Sequence, residues 1–154
     1  MVEQNATLLV VDDNEMNRDV LTRRLERQGY TVETAVNGRE AMEFLQSDPS
    51  GVDLVLLDIM MPEMNGYEVL EQVKADEVLR HIPVIMITAV DEIESVVRCI
   101  EMGAEDYLHK PFNPVLLQAR IGACLEKKRL RDRERAYLEQ LEIEREKSEK
   151  LLLN

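Results

Sequence analysis

Four short apolar runs in this sequence each end in a polar side chain that could bind a ligand or react with one. Those side chains are Asp12 and Asp13, Asp58, Thr88, and Lys110 after His109. A carboxylate such as that of Asp58, at the carboxyl end of a buried strand, is desolvated at its base and open at its tip, which suits a nucleophile or a metal ligand. Because ligands of an open parallel sheet bind at the carboxyl edge of its strands, we expect these side chains to meet there.

Three carboxylates at one edge would repel each other. Two unit charges about 4 Å apart at an effective dielectric constant near 20 repel by about 4 kcal/mol. Such a group is tolerated only with a bound cation or with protonation. A hard divalent ion with oxygen ligands, commonly Mg²⁺, is the natural solution, and it would also neutralise an incoming phosphoryl group. Asp12–Glu15 lacks the ligand spacing and the central glycine of an EF-hand loop.

The elements that must position these residues alternate between strands and helices. The predicted strands are Thr7–Val11, Thr31–Ala35, Asp53–Leu57, Pro83–Ile87 and Asp106–Leu108. The predicted helices are Asn14–Gln28, Asn37–Gln46, Gly66–Ala75, Asp91–Met102 with Asp91 as N-cap, and a last helix from Pro114. Strands three and four are continuous apolar runs, which is typical of strands covered on both faces. The sequence therefore predicts an α/β fold, a doubly wound five-stranded parallel sheet flanked by five helices.

The first predicted helix has an apolar stripe. Met16, Val20, Leu21 and Leu25 are expected to face the core, and Gly29 ends the helix. The second strand, Thr31–Ala35, alternates more than the others and is expected nearer an edge of the sheet.

Length and charge bound the function. The 154 residues suit one domain, 1–125, with an appendage, 126–154. The net charge of −12 makes general nucleic-acid binding a poor fit, because phosphate contacts need clustered Lys and Arg. The two cysteines, Cys99 and Cys124, form neither a zinc motif nor a disulfide framework. We find no signal peptide and no membrane-spanning stretch, so we expect a cytoplasmic protein without membrane contacts, or a fragment of a larger chain.

Residues 126–154 predict a helix that pairs with another copy. This segment contains no Gly and no Pro, so nothing in it stops a helix. A heptad frame, here named the tail seam, runs along it through Leu130, Glu134, Tyr137, Leu141, Glu144, Ser148 and Leu151. The seam is weakly apolar, and a solvated, frayed helix is the alternative to a coiled-coil homodimer. A basic-region zipper is rejected, because Asp132 and Glu134 interrupt the positive charge.

Residues 8 to about 125 resemble the receiver domain of two-component response regulators. The matching segments are Val10–Asn14, Leu56–Gly66, Ile87–Ala89 and Gly103–Phe112, which fall in order and at fitting distances. The resemblance implies a flavodoxin-like fold and a regulatory role, in which a sensor histidine kinase or a small phosphodonor phosphorylates the domain.

The resemblance also implies roles for individual residues. Asp58 would be the phosphoacceptor. Asp13 would bind Mg²⁺ directly, Asp12 mainly through water, and the backbone carbonyl of Met60 would be a further ligand beside Asp58. Lys110 would pair with a phosphoryl oxygen as a compact point charge.

Further residues of the resemblance concern switching. The Thr88 hydroxyl would turn toward the phosphoryl group, Ala89 would leave room for it, and Tyr107 would fill the vacated space. Met60 and Val90 would border the site, where they tune dephosphorylation or simply fill space. Pro111 follows Lys110 at a peptide bond that the family commonly holds cis.

The end of the sequence bears on what the receiver controls. Residues 144–154 resemble the signalling helix that precedes class III nucleotide cyclase domains, and similar helices join receivers to other enzymes. We expect the phosphoryl state to change how two tails pair. A stand-alone adaptor or phosphate sink is the alternative. A haloacid-dehalogenase-like phosphatase fits less well, because Met60 stands where those enzymes place a second aspartate.

Overall fold

The computed structural model describes residues 6–89 and 92–153. Its elements, in chain order, are β1 (Thr7–Val11), α1 (Glu15–Arg27), β2 (Thr31–Ala35), α2 (Gly38–Ser47), β3 (Leu54–Leu57), α3 (Gly66–Ala75), a 3₁₀ turn (Leu79–His81), β4 (Val84–Thr88), α4 (Ile93–Glu101), β5 (Asp106–His109) and α5 (Pro114–Leu153). The five strands form one parallel sheet in the order β2-β1-β3-β4-β5. This confirms the predicted doubly wound α/β fold, with β2 at an edge.

Two apolar layers hold the helices on the sheet. On one face, side chains such as Leu9, Leu57 and Met86 pack with residues of α2, α3 and α4. On the other face, Val10 and Leu56 pack with residues of α1 and α5. Burying a side chain of this size stabilises the fold by about 1.5–3 kcal/mol, and both faces of β1, β3 and β4 are buried, as their continuous apolar runs predict.

Asparagine caps fix the start of three helices. Asn14, Asn37 and Asn65 each accept a hydrogen bond from a backbone N–H in the first turn of α1, α2 and α3. The cap of α3 is a full capping box, in which the Glu68 carboxylate accepts from the Asn65 N–H at 3.0 Å. Since α1 begins just after Asp13, its cap also fixes the loop that leaves β1.

Helix α1 corrects part of the predicted core. Leu21 and Leu25 are buried as expected, but Met16 and Val20 are 74% and 51% exposed. Helical periodicity identifies the face that turns inward and not how far along the helix the neighbouring surface extends. The buried positions of α1 lie in its second half, so the first turns leave their apolar side chains in solvent.

Helix α5 runs unbroken for 40 residues, which confirms the long last helix as far as Leu153. At about 1.5 Å per residue it is about 60 Å long. Leu117, Ile121 and Cys124 are buried against the sheet, Lys128 and Asp132 are half-buried, and every described residue after Asp132 is exposed. Among the described residues, no helix has both the length and the apolarity needed to cross a bilayer.

Candidate functional site

The strand register brings the three predicted carboxylates together. Val11 pairs with Leu57 across β1 and β3, so the residues that follow these strands meet at one edge. Asp12 and Asp58 are buried, with 6% and 8% exposure, and Asp13 is exposed. Asp12, Asp13 and Asp58 each offer an oxygen within 4.8 Å of those of the other two. The structure thus confirms the predicted cluster of three acids at this edge of the sheet.

Lys110 lies against two of these acids. Its Nζ is 2.8 Å from Asp12 Oδ2 and 3.5 Å from Asp58 Oδ2. Burial acts to lower the pKa of Lys110, but the hydrogen bond to Asp12 and the charges of both carboxylates outweigh it and raise the pKa. The amine therefore stays charged at neutral pH.

The surroundings of Asp58 disfavour the charged form of its carboxyl group. Burial raises the pKa of Asp58, and although Lys110 opposes this effect, the negative charge of Asp12 adds to it, so the pKa lies above its ordinary value. The Met60 N–H donates to Asp58 Oδ1 at 3.3 Å, and the Asp58 N–H donates to Val11 O at 3.0 Å. Backbone hydrogen bonds thus hold Asp58 in place. Its neighbours do not fully offset the cost of burying its negative charge.

The donor set fits a hard divalent cation. The carboxylates of Asp12, Asp13 and Asp58 supply oxygen ligands, which Mg²⁺ prefers. A cation there would offset the burial and the mutual repulsion that disfavour the charge of Asp58. The fit thus follows from the chemistry of the donors and from their spacing.

A glycine controls the approach of α3 to Asp58. A Cβ on Gly66 would lie 2.4 Å from Asp58 O and 2.7 Å from Ile59 Cα, far inside van der Waals contact. The Gly66 N–H also donates to Ile59 O at 2.9 Å. Gly66 therefore lets the start of α3 pack directly on the backbone of Asp58 and Ile59.

Thr88 and Tyr107 lie on the same face of the sheet. Thr88 is fully buried at the end of β4, and Met86 pairs with Tyr107 of β5. Side chains alternate along a strand, so Thr88 lies on the same face of the sheet as Met86. The half-buried Tyr107 packs against the apolar cluster on that face, which contains Met86. The structure thus places both predicted switch residues on one face.

The other predicted residues surround this edge. Ala89 and Pro111 are exposed, and Met60 is 63% exposed. The Lys110–Pro111 bond is cis. Val90, predicted to border the site, and Asp91, predicted to cap α4, lie outside the described residues.

Sequence reasoning missed three contacts in the structure. Arg18 of α1 donates from Nη1 to Asp12 O at 2.7 Å. On the opposite face, the Tyr67 hydroxyl forms a short hydrogen bond with Ser95 Oγ, and the Arg98 guanidinium lies 3.8 Å from the centre of the Tyr67 ring. The signal for Arg18 was available, because it lies one turn into a helix that starts right after the acidic pair.

Known proteins match this chain over the same region. The family described as the response regulator receiver domain matches residues 8–122. A probable transcriptional regulator ycf27 of Cyanidium caldarium is 42% identical over 118 residues, which cover 77% of this chain and 45% of that protein. A probable cyclic di-GMP phosphodiesterase of Vibrio cholerae is 42% identical over 126 residues, covering 82% and 28% respectively. The chain therefore spans less than half the length of either relative.

A solved structure agrees with the sequence relatives. The signal receiver domain of a signal transduction histidine kinase from Syntrophus aciditrophicus superposes with a TM-score of 0.73 at 37% identity, over 79% of this chain and 91% of that one. The sequence match, the strand order and the acidic cluster all concern the same part of the chain, residues 8–122. This chain belongs to the response regulator receiver domain family.

Proposed function

We propose that Asp58 is the phosphoacceptor of this receiver domain. The observation that carries the proposal is the position of its carboxylate, at the end of β3, 3.5 Å from the Lys110 amine and clustered with Asp12 and Asp13. An Asp58 oxygen would attack the phosphorus of a phosphohistidine in a sensor kinase. The new O–P bond forms as the P–N bond breaks, and the imidazole nitrogen keeps the electron pair. A small phosphodonor would react in the same way with its own leaving group.

The residues of the cluster would hold Mg²⁺. Asp13 and Asp58 would be carboxylate ligands, Asp12 would act mainly through water, and the Met60 carbonyl would be a further ligand. When bound, the ion supplies positive charge that neutralises the phosphoryl oxygens. Catalysis in such a site is mostly positioning and charge neutralisation.

Three residues of this chain would respond to the phosphoryl group. Lys110, held at 3.5 Å from Asp58, would pair with a phosphoryl oxygen. Thr88 would hydrogen-bond another oxygen, and Tyr107, on the same face of the sheet, would follow its movement. Because Tyr107 belongs to β5, the next element along the chain to move is α5.

Intact mass after incubation with acetyl phosphate and Mg²⁺ tests the phosphoacceptor. We expect the wild type to gain one phosphoryl group and Asp58→Asn to gain none, because the amide is not a nucleophile toward phosphorus. Asp19→Asn is the control, since Asp19 is an exposed acid of α1 outside the cluster. Persistent labelling of the Asp58→Asn protein would contradict the assignment.

A haloacid-dehalogenase-like phosphatase is disfavoured by the side chain at residue 60. Hydrolysis of phosphate esters in that class needs a second acid two residues after the nucleophile, and here that position is the exposed Met60. We expect no hydrolysis of a generic phosphomonoester, and measurable turnover would reopen this alternative.

We also propose that residues 126–154 form an output helix that pairs with a second copy of the chain, residues 1–125 being the receiver. Support comes from the exposed apolar side chains of the tail seam, in which Tyr137 is 64% and Leu141 43% exposed. Arg145 bonds to Glu142 and Glu149 along the helix and off the seam, where charges suit a solvated face. Light scattering with Mg²⁺, with and without beryllofluoride, tests whether the phosphoryl site controls pairing.

The kind of output is a further proposal. The relatives include proteins described as a transcriptional regulator and a cyclic di-GMP phosphodiesterase, each longer than the region shared with this chain. The likeness of residues 144–154 to a signalling helix supports an enzymatic output such as a nucleotide cyclase. A gene that ends at Asn154 would instead favour an adaptor or phosphate sink.

A further inference from the structure

Arg18 contacts the backbone of the acidic cluster and none of its carboxylates. It lies in the first turns of α1, is half-buried, and donates from Nη1 to Asp12 O at 2.7 Å. Among residues 6–89 and 92–153, no carboxylate lies within ion-pair distance of its guanidinium. A half-buried charge that bonds to a carbonyl in this way fixes a piece of backbone.

The bonded carbonyl completes the restraint of Asp12. The Asp12 N–H donates to Ala35 O at 3.3 Å. Its Oδ1 accepts from the Asn14 N–H at 2.9 Å, and its Oδ2 accepts from Lys110 Nζ at 2.8 Å. With Arg18 on the carbonyl oxygen, every polar atom of Asp12 has a partner.

This carbonyl belongs to the peptide unit that leads into Asp13. Because the peptide is planar, fixing its oxygen fixes the orientation of the plane and with it the direction in which Asp13 continues. Asp13 is exposed, unlike the other two acids of the cluster. The place of its carboxylate therefore depends on the backbone more than on packing around the side chain.

We propose that Arg18 is a positioning residue of the metal site, which holds the Asp12–Asp13 peptide so that the Asp13 carboxylate stays within reach of Mg²⁺. This inference rests on the proposed function only in taking Asp13 as a direct ligand. The planar guanidinium suits the task, because its terminal nitrogen reaches the carbonyl along a fixed direction, which the flexible lysine amine does not reproduce.

Magnesium affinity of the unphosphorylated protein, measured by isothermal titration calorimetry, tests the proposal. We expect Arg18→Met to bind Mg²⁺ about 10-fold more weakly, the lower end of the range for loss of a residue that orients a ligand. Removing a positive charge near a cation site should by itself strengthen cation binding. Weaker binding can therefore arise from lost positioning and not from the lost charge.

Two further variants make the outcome decisive. Arg23→Met removes an exposed arginine of the same helix and should leave the affinity unchanged or slightly higher. Arg18→Lys keeps the charge and one donor, and it should recover part of the affinity. Circular dichroism of the metal-free proteins shows whether they remain folded. If Arg18→Met does not fold, Arg18→Lys decides the test, and it should bind Mg²⁺ more weakly than the wild type.

Unchanged or stronger Mg²⁺ binding by folded Arg18→Met would overturn the inference. Failure of the proposed function has a different signature, namely phosphorylation that persists in Asp58→Asn while the effect of Arg18 on Mg²⁺ affinity remains.

Discussion

The Arg131 side chain donates from Nη1 to Glu105 Oε1 at 2.5 Å, which joins the middle of α5 to the residue just before β5. Lys127 Nζ lies 3.7 Å from the other carboxylate oxygen. The Glu105 side chain is only 12% exposed and directly precedes β5, the strand that carries Tyr107. A displacement of β5 would therefore act on the direction of the tail through this carboxylate as well as through α5.

We predict that Glu105→Gln lowers stability at neutral pH by about 1 kcal/mol, the scale of a partly exposed ion pair. Burial acts to raise the pKa of Glu105, but the hydrogen bond and charge of Arg131, with Lys127, outweigh it and hold the pKa below its ordinary value of 4.5. A carboxyl group whose pKa is lower in the folded state stabilises the fold above its unfolded pKa and loses that effect as the pH falls through the folded one.

Urea unfolding at neutral pH and in acid checks this prediction. The difference between wild type and Glu105→Gln should be full above pH 4.5 and shrink as the pH falls below that value. Glu139→Gln, in the exposed part of α5, is the control and should unfold like the wild type. A difference that stays constant down to acid pH would show that the charge of Glu105 contributes nothing.

Gly66→Ala should destabilise the protein by about 1–3 kcal/mol, the usual cost of an overpacked position. The added Cβ meets Asp58 O and Ile59 Cα, which are backbone atoms that cannot rotate away. Gly122→Ala is the matched control, since Gly122 sits inside α5 and, in the described part of the chain, nothing beyond its own helix backbone lies within 4 Å of a Cβ placed there. That change should stabilise the helix by about 0.5–1 kcal/mol. Thermal melts measure both effects. Melting temperatures that shift by the same amount in the same direction in the two variants would contradict the close approach at Gly66.

The ends of β3 and β4 were predictable because strands that are buried on both faces consist of consecutive apolar residues. Continuous apolar runs identify β3 and β4, and the residue that follows each run must lie at the carboxyl edge. Asp58 and Thr88 were placed correctly on that basis alone. Parallel pairing then brings in Asp12 and Lys110 without any knowledge of side-chain contacts.

The contacts of long charged side chains were not predictable. Arg131 and Glu105 are 26 residues apart, and only the path of α5 past the end of β5 brings them together. The exposure of Met16 and Val20 was missed for a related reason, since it depends on where α1 lies on the sheet. Periodicity gives the orientation of a helix about its axis, while its position along that axis is set by tertiary packing.

Asp13→Asn should stabilise the protein in the absence of divalent ions and abolish most of the stabilisation that Mg²⁺ gives the wild type. The three acids have oxygens within 4.8 Å of each other, so removing one charge relieves repulsion of about 1 kcal/mol at the solvent-exposed limit. The same change removes a ligand. Melting curves with Mg²⁺ and with a chelator measure both effects, and Asp19→Asn, which changes an exposed acid of α1 outside the cluster, should alter neither. A Mg²⁺-dependent rise in melting temperature as large as that of the wild type would count against Asp13 as a ligand.

Leu141→Ser and Ile143→Ser form a pair that isolates the tail seam. Both residues are apolar and similarly exposed, at 43% and 46%, but Leu141 lies on the seam and Ile143 does not. If two tails pair along the seam, burying Leu141 contributes about 1.5–3 kcal/mol per side chain, and each protomer supplies one. Leu141→Ser should then weaken dimerisation at least 10-fold, while Ile143→Ser leaves it unchanged. Sedimentation equilibrium of both variants with beryllofluoride and Mg²⁺ tests this, and equal effects of the two changes would mean that the tails associate without a defined seam.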